Sequence, residues 1–131
     1  MDQIVLGLTG KSRLIVTRED TAEHMGSGAL PVFSTPAMAA LMENAACSAL
    51  AGRLPEGAAT VGTALKIEHV SPTPVGMTVV ATATLTEHQG NNFTFEVEAF
   101  DEKGLIGRGT HRRAAVFSAR FLQKAGAKLD G

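Results

Sequence analysis

A chain of 131 residues, 44% apolar and 19% charged, has the size and balance of one globular domain that buries its own core. Its single cysteine, Cys47, excludes an internal disulfide and a multi-cysteine zinc site. A net charge of −1, no Trp or Tyr, and four dispersed histidines argue against both a nucleic-acid binder and a metal site.

The first residues, Met1 to Arg13, carry no basic leader and only a short apolar stretch. Neither a signal peptide nor a membrane span is read there, and a cytoplasmic protein is expected. A first strand is predicted over 11–18. Residues 19–34 read as irregular, broken by Gly26, Gly28 and Pro31. A helix is predicted from Pro36 to Arg53, with Thr35 as N-cap and Pro36 in the tolerant first turn. Met38, Leu41, Met42, Ala45, Ala46 and Ala49 recur at helical spacing, and Gly52 and Pro55 end the run.

Four strands are predicted after the helix. Over 59–70, alternation places Val61, Thr63, Leu65, Ile67 and His69 on one face. Pro72, Pro74 and Gly76 break the chain before 77–88, where Met77, Val79, Ala81, Ala83 and Leu85 alternate. Gln89-Gly90-Asn91-Asn92 turns it into 93–101, with Phe93, Phe95, Val97 and Ala99 on one face. Lys103-Gly104 leads into the last strand, 105–118, and 119–131 reads as a polar tail that frays. No repeat or linker divides residues 1–131, so one domain is expected.

This order makes an α+β protein, one Ala-rich helix wrapped by a five-stranded antiparallel sheet: the hotdog arrangement. A single helix leaves the sheet edges open, and edge-to-edge pairing with a second copy would close one of them, so a homodimer or higher oligomer is expected.

Glu43 stands mid-helix, flanked by Ala39, Ala40 and Ala46, and is the lone acid between Glu23 and Glu56. It suits a solvent-facing glutamate, or a general base enclosed by sheet and partner. His69 shares its face with Leu65 and Ile67 just before the Ser71-Pro72-Thr73-Pro74 break, as a core histidine or as a proton-transfer group. Thr35 is a cap, and a helix start is also a place for polar ligands. Gly62 inside a strand marks close packing, or a backbone N–H offered to an oxyanion. Cys47 lies in an Ala-rich helix with no histidine near it in sequence and is set aside as a nucleophile. Residues 1–100 carry five Lys or Arg against ten acids, 101–131 seven against three, and no acid stands between Lys103 and Lys128. That run is a solvated basic edge, or a landing site for the phosphates of a nucleotide-bearing ligand.

The segment from Val32 to Ala45, reading VFSTPAMAALMENA, resembles the helix start of the fluoroacetyl-CoA thioesterase-like branch of the hotdog superfamily. Val61-Gly62-Thr63 with His69, Thr73-Pro74-Val75-Gly76, and Gly107-Arg108-Gly109-Thr110-His111-Arg112-Arg113 extend the resemblance over about residues 12–121. It implies Thr35, Glu43 and His69 as the catalytic set, Gly62 beside the thioester, and Arg113 as the last-strand arginine. The implied activity is hydrolysis of a short-chain acyl-CoA to the free acid and coenzyme A, with coenzyme A as part of the substrate and no separate cofactor or metal. A hotdog enoyl-CoA hydratase or a non-catalytic acyl-CoA-binding module fits the same architecture. Neither a nucleic acid nor a membrane is implied as partner. Gly28-Ala29-Leu30-Pro31 departs from the family in lacking the bulky aromatic lid of a fluoroacetate-selective site. Arg113 is expected to help hold coenzyme A, and the site to be assembled from two subunits.

Overall fold

The computed structural model describes residues 4–131. Strand β1 spans Thr9–Ile15, followed by a short 3-10 turn and a one-turn helix α1, Ala22–Met25. The long helix α2 runs Thr35–Leu50. Strands β2 (Ala58–His69), β3 (Thr78–Gln89), β4 (Asn92–Asp101) and β5 (Gly104–Phe117) complete the sheet, and helix α3, Ser118–Gly126, follows with a 3-10 turn, Ala127–Asp130, after it. This is the expected hotdog arrangement.

Helix α2 starts one residue earlier than its proline suggested. Ser34 is the N-cap, and its Oγ accepts from the Ala37 N–H at 3.1 Å. Thr35, predicted as the cap, is therefore the first helical residue, and its hydroxyl is free for other work. The helix buries Met38, Leu41, Met42, Ala45, Ala46 and Ala49 as its stripe predicted. Against them lie Val79, Ala81, Ala83 and Leu85 of β3 and Phe93, Phe95, Val97 and Ala99 of β4. Small residues on one strand and large ones on the next interdigitate with the helix. Each fully buried Leu, Phe or Met contributes roughly 1.5–3 kcal/mol.

All strand pairs are antiparallel, in the order β1-β3-β4-β5-β2. Only β3, β4 and β5 are hairpin neighbours. The chain leaves β2, crosses the sheet, and enters β3 beside β1, so β2 becomes an edge strand against β5. Two sequence expectations change. Residues 19–34 are not simply irregular: Thr21 bridges Phe33, Val32 bridges Pro74, and the Phe33 N–H donates to Thr73 O at 2.9 Å. Residues 118–126 are helical rather than a frayed tail, because Phe117, Phe121, Arg120 and Lys124 repeat at four-residue spacing along one side.

Helix and sheet approach closely where β1 lacks a side chain. A Cβ on Gly10 would collide with the backbone of Ala45 and Ala49. Backbone cannot step aside, so Gly10→Ala is expected to cost about 3 kcal/mol or more. A urea or thermal melt checks this; an unshifted midpoint would show that the helix rides over the strand more loosely.

Candidate active site

Tertiary structure divides the five site candidates into two groups. At the N-terminal end of α2, Thr35 Oγ1 lies 2.8 Å from His69 Nδ1. Both loops there are tied down. Buried Thr73 donates to Asp101 Oδ2 at 2.9 Å, and the Val70 N–H donates to Ile106 O at 2.7 Å, so β2 ends where His69 faces the helix start. The edge of the Phe33 ring meets the His69 ring at a centroid distance of 6.4 Å. A cleft of about 340 Å³ opens over this pair, lined by Val32, Phe33, Thr35, His69 and Ser71 among others. His69 Nε2 is buried without a hydrogen-bond partner among the described residues. Burial lowers the His69 pKa below its ordinary 6.5, partly countered by a backbone hydrogen bond at Ser71. The neutral imidazole is then the form present at pH 7, able to take a proton from the threonine hydroxyl or a water.

The second group lies two turns along the helix, about 12 Å of rise away. Glu43 points at Gly62: a Cβ there would stand 2.6 Å from Glu43 Oε2. Strict alternation places Gly62 and His69 on opposite faces of β2. A β-bulge between Gly62 and Ala64 resets the phase and turns both toward the helix. No residue pattern in the strand announced it.

Arg113 is 6% exposed and sits on β5 opposite Gly62. Its Nε donates to Thr60 Oγ1 at 2.9 Å, Nη2 to Thr60 O at 3.0 Å, and Nη1 to His111 Nε2 at 3.1 Å. Nη1 also stands 3.6 Å from Glu43 Oε2. These bonds aim the guanidinium inward, toward the Glu43 carboxylate. His111, 1% exposed, was passed over as one of the dispersed histidines. Its Nδ1 faces the Ala64 carbonyl at 2.9 Å and must donate, which leaves Nε2 to accept from Arg113. The available signal was spacing: His111 and Arg113 are two apart on one strand face, after the inward glycines Gly107 and Gly109.

Glu43 thus receives a fixed cation from below while its side chain remains 41% exposed toward the open face. Among the described residues no cluster of three or more His, Cys, Asp or Glu could hold a metal ion. Cys47 is exposed and unpaired by any disulfide.

The model of a family described as fluoroacetyl-CoA-specific thioesterase matches residues 16–119. The chain belongs to this thioesterase family. It is an acyl-CoA thioesterase. A fluoroacetyl-CoA thioesterase from Streptantibioticus cattleyicolor is 40% identical over 93 residues, 71% of this chain and 67% of that protein. A crystal structure of a point mutant of the fluoroacetyl-CoA-specific thioesterase with fluoroacetate and CoA superposes at a TM-score of 0.85, with 33% identity over 90% of this chain and 99% of the other. A Thermus thermophilus member of the thioesterase superfamily superposes at 0.89, with 28% identity over 99% and 96%.

Two outcomes are expected. Gly62→Ala should displace mainly the flexible end of Glu43, with a lesser press on the His111 ring at 3.3 Å, so kcat should fall at least tenfold while the melting temperature moves little; a large loss of stability would assign Gly62 to packing. With His69 as the proton-transfer group, its lowered pKa predicts that kcat/KM is flat above pH 6.5 and falls on acidification with a midpoint below 6.5. The stability contribution has the same sign: complete above 6.5 and lost as pH falls through the lowered value. An acid limb centred above 6.5 in a pH–rate profile would rule out His69 as its source.

Proposed function

We infer that the protein hydrolyses a short-chain acyl-CoA to the free acid and coenzyme A, using Glu43 with Gly62 from one subunit and Thr35 with His69 from the other. The observation that carries this is the Glu43 carboxylate poised over Gly62, with Arg113 at 3.6 Å behind it. A thioester carbonyl laid against Gly62 meets that carboxylate, which attacks it or activates a water. The Gly62 N–H polarises the carbonyl oxygen, and His69, hydrogen-bonded to Thr35, carries the proton between water and departing thiolate. Arg113 and His111 hold Glu43 in place.

The split into two groups supports a dimer. Gly62 lies near the middle of β2 and His69 at its C-terminal end, seven residues and roughly 23 Å apart, so one chain does not close the set. β2 is a 12-residue edge strand, with Leu65 37% exposed on it and Val70 49% exposed beside it. A two-fold axis between Leu65 and Lys66 pairs it with its own copy and sets His69 of one chain against Gly62 of the other. The acyl group lies in the cleft beside Phe33. Ser27 and Val32 line its outer side, and the segment between them carries no aromatic residue, so fluoroacetyl and acetyl groups are both accommodated.

An acyl-CoA panel read with a thiol reagent tests the activity: a free thiol from two- to four-carbon acyl-CoAs is expected, and a hydroxyacyl thioester, or binding without turnover, overturns it. Subunit exchange tests the assembly. Glu43→Ala and His69→Ala, each inactive, should regain roughly a quarter of wild-type activity on mixing, since half the dimers then carry one intact site of two. No recovery places the whole set in one chain. Glu43 with Gly62 would be the wrong pair to mix, because one chain already brings them together.

A further inference from the structure

His111 lies under Gly62 and is 1% exposed. A Cβ built on Gly62 would stand 3.3 Å from its Cε1 and 3.4 Å from Arg113 Nη1. Glu43 Oε2, Arg113 Nη1 and His111 Nε2 form a triangle there. Its sides are 3.6 Å from carboxylate to guanidinium, 3.1 Å from guanidinium to imidazole and 4.0 Å from imidazole to carboxylate. Only the side without the carboxylate is short enough for a hydrogen bond.

The unequal sides have a cause. A guanidinium free to meet a carboxylate closes to about 2.7–2.9 Å. Nothing on the Glu43 side prevents it, since that side chain is flexible and 41% exposed. The pair stays open because the donors of Arg113 are spent elsewhere. Thr60 takes Nε and one Nη2 N–H, and His111 takes one of the two N–H groups on Nη1. Nη1 is the arm nearest Glu43, so the imidazole engages the group that would otherwise close on the carboxylate.

Only one tautomer of His111 does this. Its Nδ1 lies 2.9 Å from the Ala64 carbonyl, which accepts and never donates, so the proton sits on Nδ1 and Nε2 keeps a lone pair for Arg113. The bulge in β2 shapes the fit: β5 advances two residues from His111 to Arg113 while β2 advances three from Leu65 to Gly62.

We propose that His111 is a positioning residue for the hydrolysis: by accepting from Arg113 Nη1 it keeps the guanidinium from closing on Glu43. Arg113 then balances the carboxylate's charge without committing its lone pairs, which stay available to a thioester carbonyl or a water. Arg113 fixes where the positive charge lies, and His111 fixes how far it stops short. This rests on Glu43 being the reacting group.

Two substitutions separate the two ring nitrogens. His111→Gln puts a carbonyl oxygen near the place of Nε2 and still accepts from Arg113. His111→Asn puts an amide N–H near the place of Nδ1 and still donates to Ala64, but offers Arg113 nothing. With acetyl-CoA, the Asn variant should lose kcat by about tenfold or more with KM within about twofold, and the Gln variant should recover about a third of wild-type kcat or more. Equal kcat in the two variants, or a loss carried in KM, overturns the proposal. In an Arg113→Leu background His111→Asn should lower kcat no further, because no guanidinium is left to restrain; a further loss of about threefold or more assigns His111 to the fold and overturns it.

Two readouts do not depend on activity. Nitrogen-15 NMR of the wild-type protein should show His111 with its proton on Nδ1 and none on Nε2. A proton on Nε2, in the other tautomer or in the imidazolium, overturns the restraint, and this decides the matter if the variants fail to fold. In a crystal structure of His111→Asn, the Glu43–Arg113 separation should shorten from 3.6 Å to about 2.8 Å, and an unchanged separation overturns it. If wild type hydrolyses no acyl-CoA, the proposed function fails by itself, and the tautomer and the separation still judge the restraint.

Discussion

The distance between helix α2 and the sheet is the constraint on which the other features rest. Three glycines lie beneath this helix, and each is occupied by something from it. Gly10 faces the backbone of Ala45 and Ala49, Gly107 faces the Met38 thioether, and Gly62 faces the Glu43 carboxylate. A side chain at any of them would lift the helix or push aside what it carries. The alanines of α2 serve the same end from the other side, since bulkier residues would hold the backbone further from β1 and β3. Only at this separation can a glutamate on the helix reach the backbone of β2.

Close approach brings a charge toward a nearly dry interior, and the interior answers with a polar network. Arg113 is held by three hydrogen bonds to Thr60 and His111, and His111 is itself oriented by the Ala64 carbonyl. A buried guanidinium with most of its donors satisfied keeps a fixed geometry, and a fixed cation beneath a carboxylate aims it better than a mobile surface lysine could. The carbonyl that orients His111 belongs to Ala64, at the end of the same bulge that turns Gly62 inward. One irregularity in β2 therefore sets both the floor of the site and the tautomer of the histidine beneath it.

The two groups of candidate residues meet β2 seven residues apart, at Gly62 near its middle and at His69 at its C-terminal end, and β2 is an edge. A 12-residue edge strand with apolar side chains along it is an open invitation to pairing. The open edge strand is also the one that carries Gly62 and His69.

Much of the architecture was legible in the residues. Period-2 alternation in 77–88 and 93–101 marked β3 and β4, and the stripe from Met38 to Ala49 marked the buried side of α2, because burial on one face writes itself directly into hydrophobic spacing. Thr35, Glu43, His69 and Gly62 could be singled out one at a time, as polar or absent side chains in apolar elements. Their grouping could not. It depends on a bulge, which shifts phase without a fixed residue signature, and on a crossover that sends β2 to the edge beside β5. The amphipathic α3 was misread as a tail because its apolar residues are few and meet only a shallow surface. Arg113 was expected to help hold coenzyme A; its hydrogen bonds to Thr60 and His111 could not be foreseen, because a charge run along the chain does not reveal which way a strand residue points. Composition and periodicity determine which faces must be buried; which buried polar groups meet there is decided by strand order and register, and those are set by contacts between residues far apart in the chain.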